Sequence, residues 1–201
     1  MIEQHLRPQL DRLFFAPAAK LLAKTKVTPT AVTLFSLACG LAVIPLMHFR
    51  QPLASVIALW LSGLGDVIDG GLARLTNRIT PLGAILDIVS DRIVEFSVVL
   101  ALFLVDPERA LVCIMMLGSI LICVTTFLVA SAAFKNDGPK SFHYSPGLME
   151  RAEAFIFFTL MILFPSSFYF FAWAFVALVC LTASIRFKNY STVTDLARLR
   201  G

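Results

Sequence analysis

The chain has 201 residues, of which 58% are hydrophobic and only 15% charged, with a formal net charge of +4. With a mean hydropathy of +0.83, that composition excludes a soluble globular protein and fits a single integral membrane domain. The basic excess does not imply nucleic acid, because the lysines and arginines fall at the ends of apolar runs.

Residues 1–26 are mixed and basic. Leu6, Leu10, Leu13 and Phe14 recur at helical spacing with Arg7, Asp11 and Arg12 between them, which predicts an amphipathic helix lying on the membrane surface. Pro8 and Pro17 start or break short helices. No secretory signal peptide is expected, since the first apolar run follows this charged segment. Val27-Thr28-Pro29-Thr30 reads as a turn, with Thr30 as the cap of the first spanning helix.

Six spanning helices are expected, at about 31–47, 53–75, 82–105, 109–134, 149–165 and 168–187, each near the length that crosses the hydrocarbon core. Pro45, Pro165 and the 105–108 stretch mark turns between them. The fold class is therefore all-α integral membrane. An N-terminal amphipathic segment (1–26) precedes a six-helix domain (27–187) and a cytoplasmic tail (188–201). Cys39, Cys113, Cys123 and Cys180 stand singly in apolar runs without metal-ligand spacing, and read as small core residues.

Arg7, Arg12, Lys20, Lys24, Lys26, Arg74, Arg78, Lys135, Lys140, Lys188, Arg198 and Arg200 fall on one set of helix ends. The other set holds only Arg50 and Arg109. The positive-inside rule then places both termini on the cytoplasmic side, in the cell inner membrane.

The second and third helices carry the chemistry. Asp66 and Asp69 are three residues apart, Asp87 and Asp91 four, so each pair shares one helix face. Counted from the expected helix ends, Asp66 and Asp91 lie about 13 and 15 Å deep, and Asp69 and Asp87 about 9 Å. Two antiparallel helices would hold these carboxylates in one site, on the cytoplasmic side. A lone aspartate at mid-bilayer costs about 2.5–3.5 kcal/mol. Two divalent cations would neutralise the four, and an oxygen-only donor set favours Mg²⁺ or Mn²⁺ over zinc. The competing reading pairs the carboxylates with Arg74, Arg78 and Arg92.

Around that site, Gly70 and Gly71 interrupt a helix, where glycine is unfavourable unless a ligand or another backbone must approach closely. Arg74, one turn beyond Gly70, is suited to gripping a phosphate bidentately. Glu95 continues the face of Asp87 and Asp91, and either orients an acceptor hydroxyl or pairs with Arg92. Lys135, Arg151 and Arg186 end or open helices on the same side and form a candidate basic acceptor pocket; for Lys135 and Arg186 the alternative is interface snorkelling. Lys140 and His143 read as a solvated loop.

Asp66-x2-Asp69-Gly70-x2-Ala73-Arg74, eight residues, Gly83-x3-Asp87-x3-Asp91 resembles the signature of the CDP-alcohol phosphatidyltransferase family at all eight fixed positions. The resemblance implies that Asp66, Asp69, Asp87 and Asp91 hold a divalent pair, with Asp91 also the proton acceptor. It implies CDP-lipid contacts at Gly70, Ala73, Arg74, Thr80 and Gly83, and at the turn Thr30, Ala31, Val32 and Thr33. Similar proteins are homodimers. Glu150-Arg151-x-Glu153 resembles the fifth-helix motif of members that accept glycerol 3-phosphate or inositol phosphate. Ala154 stands where the inositol-phosphate type usually has a further arginine.

The activity expected is metal-dependent transfer of a phosphatidyl group from CDP-diacylglycerol in the lipid bilayer to a small polyol or polyol phosphate. CMP leaves, and the product is a phospholipid. A CDP-choline or CDP-ethanolamine type phosphotransferase is the alternative within the class. A divalent-cation carrier is the alternative outside it, although ion transport leaves Gly70, Ala73 and Arg74 unexplained.

Overall fold

The computed structural model describes residues 15–25, 27–133 and 148–198. The expected surface helix over Leu6–Phe14, and Lys135, Lys140 and His143, lie outside the described residues. Every regular element among the described residues is helical. In chain order these are α1 (Ala16–Ala23), α2 (Pro29–His48), α3 (Pro52–Leu75), α4 (Pro81–Val105), α5 (Ala110–Ala133), α6 (Arg151–Leu163) and α7 (Phe168–Arg198). Short 3-10 turns at Pro107–Arg109 and Pro165–Ser167 join α4 to α5 and α6 to α7.

Proline punctuates the chain. Pro29, Pro52 and Pro81 each open a helix, where the missing N–H has no intrahelical partner to lose. Pro45 behaves differently from the expectation: it lies inside α2, which continues to His48. Pro45 cannot donate to the Leu41 carbonyl, yet the helix runs on past it and closes with the Phe49 N–H on the Pro45 carbonyl at 2.9 Å. The cap of α2 is likewise Thr28, whose hydroxyl accepts from the Ala31 N–H at 3.2 Å. Thr30 sits within the first turn, because Pro29 already takes the first helical position.

Among the described residues four segments are long and apolar enough to cross a membrane: Pro29–His48, Pro52–Leu75, Pro107–Val129 and Pro165–Tyr190. Helix α4 has the length, but Asp87, Asp91, Arg92 and Glu95 interrupt its apolar run. Helix α6 has only 13 residues, about 20 Å of rise. Many of the large apolar side chains stand exposed on the outer faces, among them Phe35, Ile57, Phe96, Leu121, Phe170 and Trp173. That is the surface expected where lipid replaces water.

Helix α2 packs against both α3 and α4, α5 against α7, and α6 against α7, α3 and α4. The described core centres on Val98, Leu102, Met116, Phe158, Phe168 and Phe175, all essentially inaccessible. On α4 this core occupies the second half, which anchors the helix and leaves its acidic first half to face the site. Beyond it, Arg109 is 7% exposed, pairs with Asp106 at 3.1 Å, and lies 4.2 Å above the Phe168 ring. It ties the α4–α5 corner to the start of α7. Cys113 and Cys123 are buried as expected, whereas Cys180 is exposed.

Candidate active site

Helices α3 and α4 run antiparallel from a tight turn. Asn77 adopts a left-handed conformation (φ 51°), which asparagine tolerates better than most residues. The Arg78 N–H reaches back to the Ala73 carbonyl at 2.9 Å, so the end of α3 is closed before α4 begins. Thr80 then caps α4: its hydroxyl accepts from the Gly83 N–H at 3.0 Å. A Cβ on Gly83 would stand 3.0 Å from that same hydroxyl oxygen. Thr80 and Gly83 therefore have a local reason to be a pair. Thr80→Val is expected to remove about 1 kcal/mol with the cap, read as a lower thermal midpoint that Thr80→Ser restores. An unchanged midpoint with a raised KM for a nucleotide-lipid would assign Thr80 to substrate instead.

The turn brings Asp66 and Asp69 of α3 against Asp87 of α4. One carboxylate oxygen from each lies within 4.8 Å of the others. Asp69 is only 5% exposed, while Asp66 and Asp87 are half-buried. Two oxygens facing each other across an ion with bonds of about 2.1–2.4 Å stand about 4.2–4.8 Å apart. The three carboxylates thus have the chemistry and spacing for a hard divalent cation.

Asp91 is placed differently. Its carboxylate meets Arg151 Nη1 at 2.5 Å and Arg92 Nη2 at 3.7 Å. The same Arg151 nitrogen pairs with the Asp66 carboxylate, and the guanidinium rests 5.4 Å from the Phe155 ring centre. The arginine that balances these aspartates therefore comes from α6, and not from Arg74, Arg78 or Arg92 alone. Helical spacing finds a charge at the start of α6 but not the two acids it will touch. Of the two readings for Glu95, the pairing is the one realised: Arg92 Nη1 donates to it at 2.6 Å.

Asp66, Asp91, Arg92, Glu95, Arg151 and Arg186 share one cavity of about 360 Å³, whose remaining wall includes Phe127, Phe175 and Ala154. Among the described residues Arg186 has no carboxylate partner. Its Nη1 lies 3.6 Å from Cys123 Sγ and its guanidinium 5.4 Å from the Phe127 ring centre.

Arg74 is exposed and folds back over Gly70: its Nη1 lies 3.6 Å from where a Cβ on Gly70 would stand. Bare backbone and a guanidinium together make an anion cradle. Gly71 faces α1 instead: a Cβ there would make ordinary van der Waals contact with Ala19 at 3.5 Å. Ala73 is half-buried on the same helix. In the turn before α2, Thr30 and Ala31 are exposed while Val32 and Thr33 are buried. Thr33 is committed elsewhere: its hydroxyl donates to Asp69 Oδ2 at 2.5 Å.

The family model described as CDP-alcohol phosphatidyltransferase matches residues 26–185. The chain is 34% identical to the Escherichia coli (strain K12) inner membrane protein YnjF over 207 residues, which span 98% of this chain and 100% of that protein. It is 30% identical to the archaetidylinositol phosphate synthase of Aeropyrum pernix over 135 residues, 67% of this chain and 66% of that one. In fold it is similar to the crystal structure of Mycobacterium tuberculosis phosphatidylinositol phosphate synthase in complex with manganese and citrate. That likeness has a TM-score of 0.73 at 21% identity and covers 89% of this chain and 90% of the other. The same protein with CDP-DAG bound gives 0.72 at 21% identity, covering 88% and 93% of the two chains.

Proposed function

The chain belongs to the CDP-alcohol phosphatidyltransferase family, and on that premise we propose that it transfers a phosphatidyl group from CDP-diacylglycerol to a hydroxyl of a small polyol phosphate, releasing CMP. The observation that carries this reading is the convergence of Asp66, Asp69 and Asp87 beside Asp91, at a cavity that holds arginines. Asp66, Asp69 and Asp87, with Asp91 completing the set, would hold two Mg²⁺ or Mn²⁺ ions. When bound, these ions screen the pyrophosphate charge and polarise the phosphorus under attack.

The residues supply the rest. Arg74 grips a phosphate of the nucleotide over the bare backbone of Gly70, beside Ala73. Asp91 takes the proton from the acceptor hydroxyl as its oxygen bonds to the phosphatidyl phosphorus. The bond from that phosphorus to the bridging oxygen breaks, and CMP departs with the electron pair. The acyl chains stay in the bilayer, so the reacting groups must be met among membrane helices.

Arg186 decides the acceptor class in this reading. A guanidinium without a carboxylate partner among the described residues, lining the cavity that Asp91 also lines, suits an acceptor that brings its own anion. Glycerol 3-phosphate and inositol phosphate both do. The relatives named for inositol phosphate products favour the second, whereas Ala154 in the cavity wall favours the smaller first. Six helices cross the membrane in this proposal, with α4 and α6 sheltered by the other spans. Both termini and the site face the cytoplasm, in the inner membrane, and the protein works as a homodimer.

The test is CMP release by purified protein in detergent with CDP-diacylglycerol and Mn²⁺ or Mg²⁺. Glycerol 3-phosphate, inositol phosphate, inositol, serine and phosphatidylglycerol would be offered in turn. Release is expected with a polyol phosphate and not with serine. Bound CDP-diacylglycerol that yields no CMP with any of the five would overturn the proposal. Arg74→Ala is expected to raise the KM for CDP-diacylglycerol by about ten- to a hundredfold, the loss of a hydrogen bond to a charged group. An unchanged KM would return Arg74 to a surface role.

A further inference from the structure

We propose that Thr33 is a positioning residue of the cation site, holding the Asp69 carboxylate in its coordinating orientation through a seam of small residues between α2 and α3. The inference rests on the reading above that Asp69 is a cation ligand. It differs from the sequence expectation, which gave Thr33 to the nucleotide.

The seam explains how the hydroxyl gets there. Thr33, Ser36 and Gly40 lie on one stripe of α2, at spacings of three and four; Ser62, Gly65 and Asp69 form the matching stripe on α3. The helices are antiparallel, so the stripes pair end to end. A Cβ on Gly65 would stand 3.0 Å from Ser36 Cβ, and one on Gly40 would stand 3.1 Å from Ser62 Oγ and would also clash with Val94 of α4. The Ser36 hydroxyl donates across the seam to the Ser62 carbonyl oxygen. Small side chains thus let the backbones approach, and the Ser36–Ser62 bond fixes their register. One turn further along, that register delivers Thr33 to Asp69.

Thr33 has one hydroxyl proton and two acceptors in reach: Asp69 Oδ2 at 2.5 Å and the Pro29 carbonyl oxygen at 3.1 Å. The nearer acceptor bears charge, and bonds to an ionised acceptor are the shorter and stronger ones. Thr33 is 6% exposed and Asp69 5%, so water has little access to replace the bond. Held at one oxygen, the carboxylate cannot turn freely about its last torsion, and its remaining lone pairs keep their aim into the cluster.

The chemistry of the donor also fits. Asp66 is held by the Arg151 guanidinium, a cation that competes with any metal for the same charge. Thr33 is neutral. It orients the most buried of the three carboxylates without reducing its charge, as outer-shell hydrogen bonds to metal-binding carboxylates do.

The experiment measures Mn²⁺ affinity of the full chain in detergent by electron paramagnetic resonance, without CDP-lipid. Thr33→Val, which keeps the shape and removes the donor, is expected to weaken Mn²⁺ about 10- to 100-fold. Thr33→Ser, which keeps the donor, is expected to stay near wild type. Thr33→Ala serves in place of Val should Val fail to fold, which the thermal midpoint in chelator reports. At saturating Mn²⁺ the KM for CDP-diacylglycerol should be unchanged in the Val variant. Wild-type Mn²⁺ affinity in Thr33→Val, or a raised CDP-diacylglycerol KM at saturating Mn²⁺, would overturn the proposal. Weakened Mn²⁺ binding in a protein whose wild type releases no CMP would leave Thr33 standing and sink the transferase reading alone.

Discussion

Asp91→Asn is expected to abolish CMP release, by about 10²–10⁴-fold, while CDP-diacylglycerol still binds. The substitution is nearly isosteric, and the amide oxygen can still face Arg151, which forms an ion pair with Asp91 at 2.5 Å. The local structure should survive. What is lost is the ability to take a proton. Asp91 shares Arg151 with Asp66, and both line the cavity with Arg92, Glu95 and Arg186. Of these two aspartates, Asp66 belongs to the candidate cation cluster, which leaves Asp91 to meet an acceptor hydroxyl. Single-turnover CMP release and equilibrium binding of CDP-diacylglycerol separate the two effects. Loss of binding together with turnover would make Asp91 chiefly a cation ligand, and the proton acceptor would have to be sought elsewhere.

The aspartates were legible because their signal is local. Spacings of three and four put each pair on one face, and antiparallel helices joined by a short turn leave little choice of partner. Helix positions were legible for a similar reason: apolar runs and the prolines at 29, 52 and 81 bound them. The errors fell where two residues compete for one local role. Thr28 and Thr30 both flank Pro29, and only the backbone geometry at Thr28 lets its hydroxyl cap the helix. Pro45 reads as a breaker, yet α2 loses one backbone donor there and still runs on to His48.

Side-chain contacts between distant helices were not legible at all. The sequence assigns Arg151 an acceptor role, and nothing in its own helix reveals that it also reaches Asp66 and Asp91. Nor does the turn before α2 reveal that Thr33 also reaches Asp69. A signal for Thr33 was nonetheless present: the two small-residue stripes, Thr33-Ser36-Gly40 and Ser62-Gly65-Asp69, share one spacing. Matching them in antiparallel order pairs Thr33 with Asp69.

Arg151→Met should destabilise the protein strongly in chelator, by about 3–5 kcal/mol, the usual consequence of removing one partner from a buried ion pair. Its guanidinium meets two carboxylates, and the side chains of Arg151, Asp66 and Asp91 are only 22%, 17% and 20% exposed. Arg92 is the nearest replacement, but it already pairs with Glu95 at 2.6 Å. The variant therefore leaves Asp66, Asp69, Asp87 and Asp91 repelling one another, with little solvent to screen them. Cations bound among those aspartates would supply the missing charge, so added Mn²⁺ should recover most of the lost thermal midpoint. Arg151→Lys should fall between, since an ammonium keeps the charge but not the planar fork. A full-size loss that Mn²⁺ does not touch would point instead to the contact with the Phe155 ring, 5.4 Å away. A midpoint equal to wild type in chelator would mean that the aspartates are balanced without Arg151, leaving its guanidinium free to serve the acceptor.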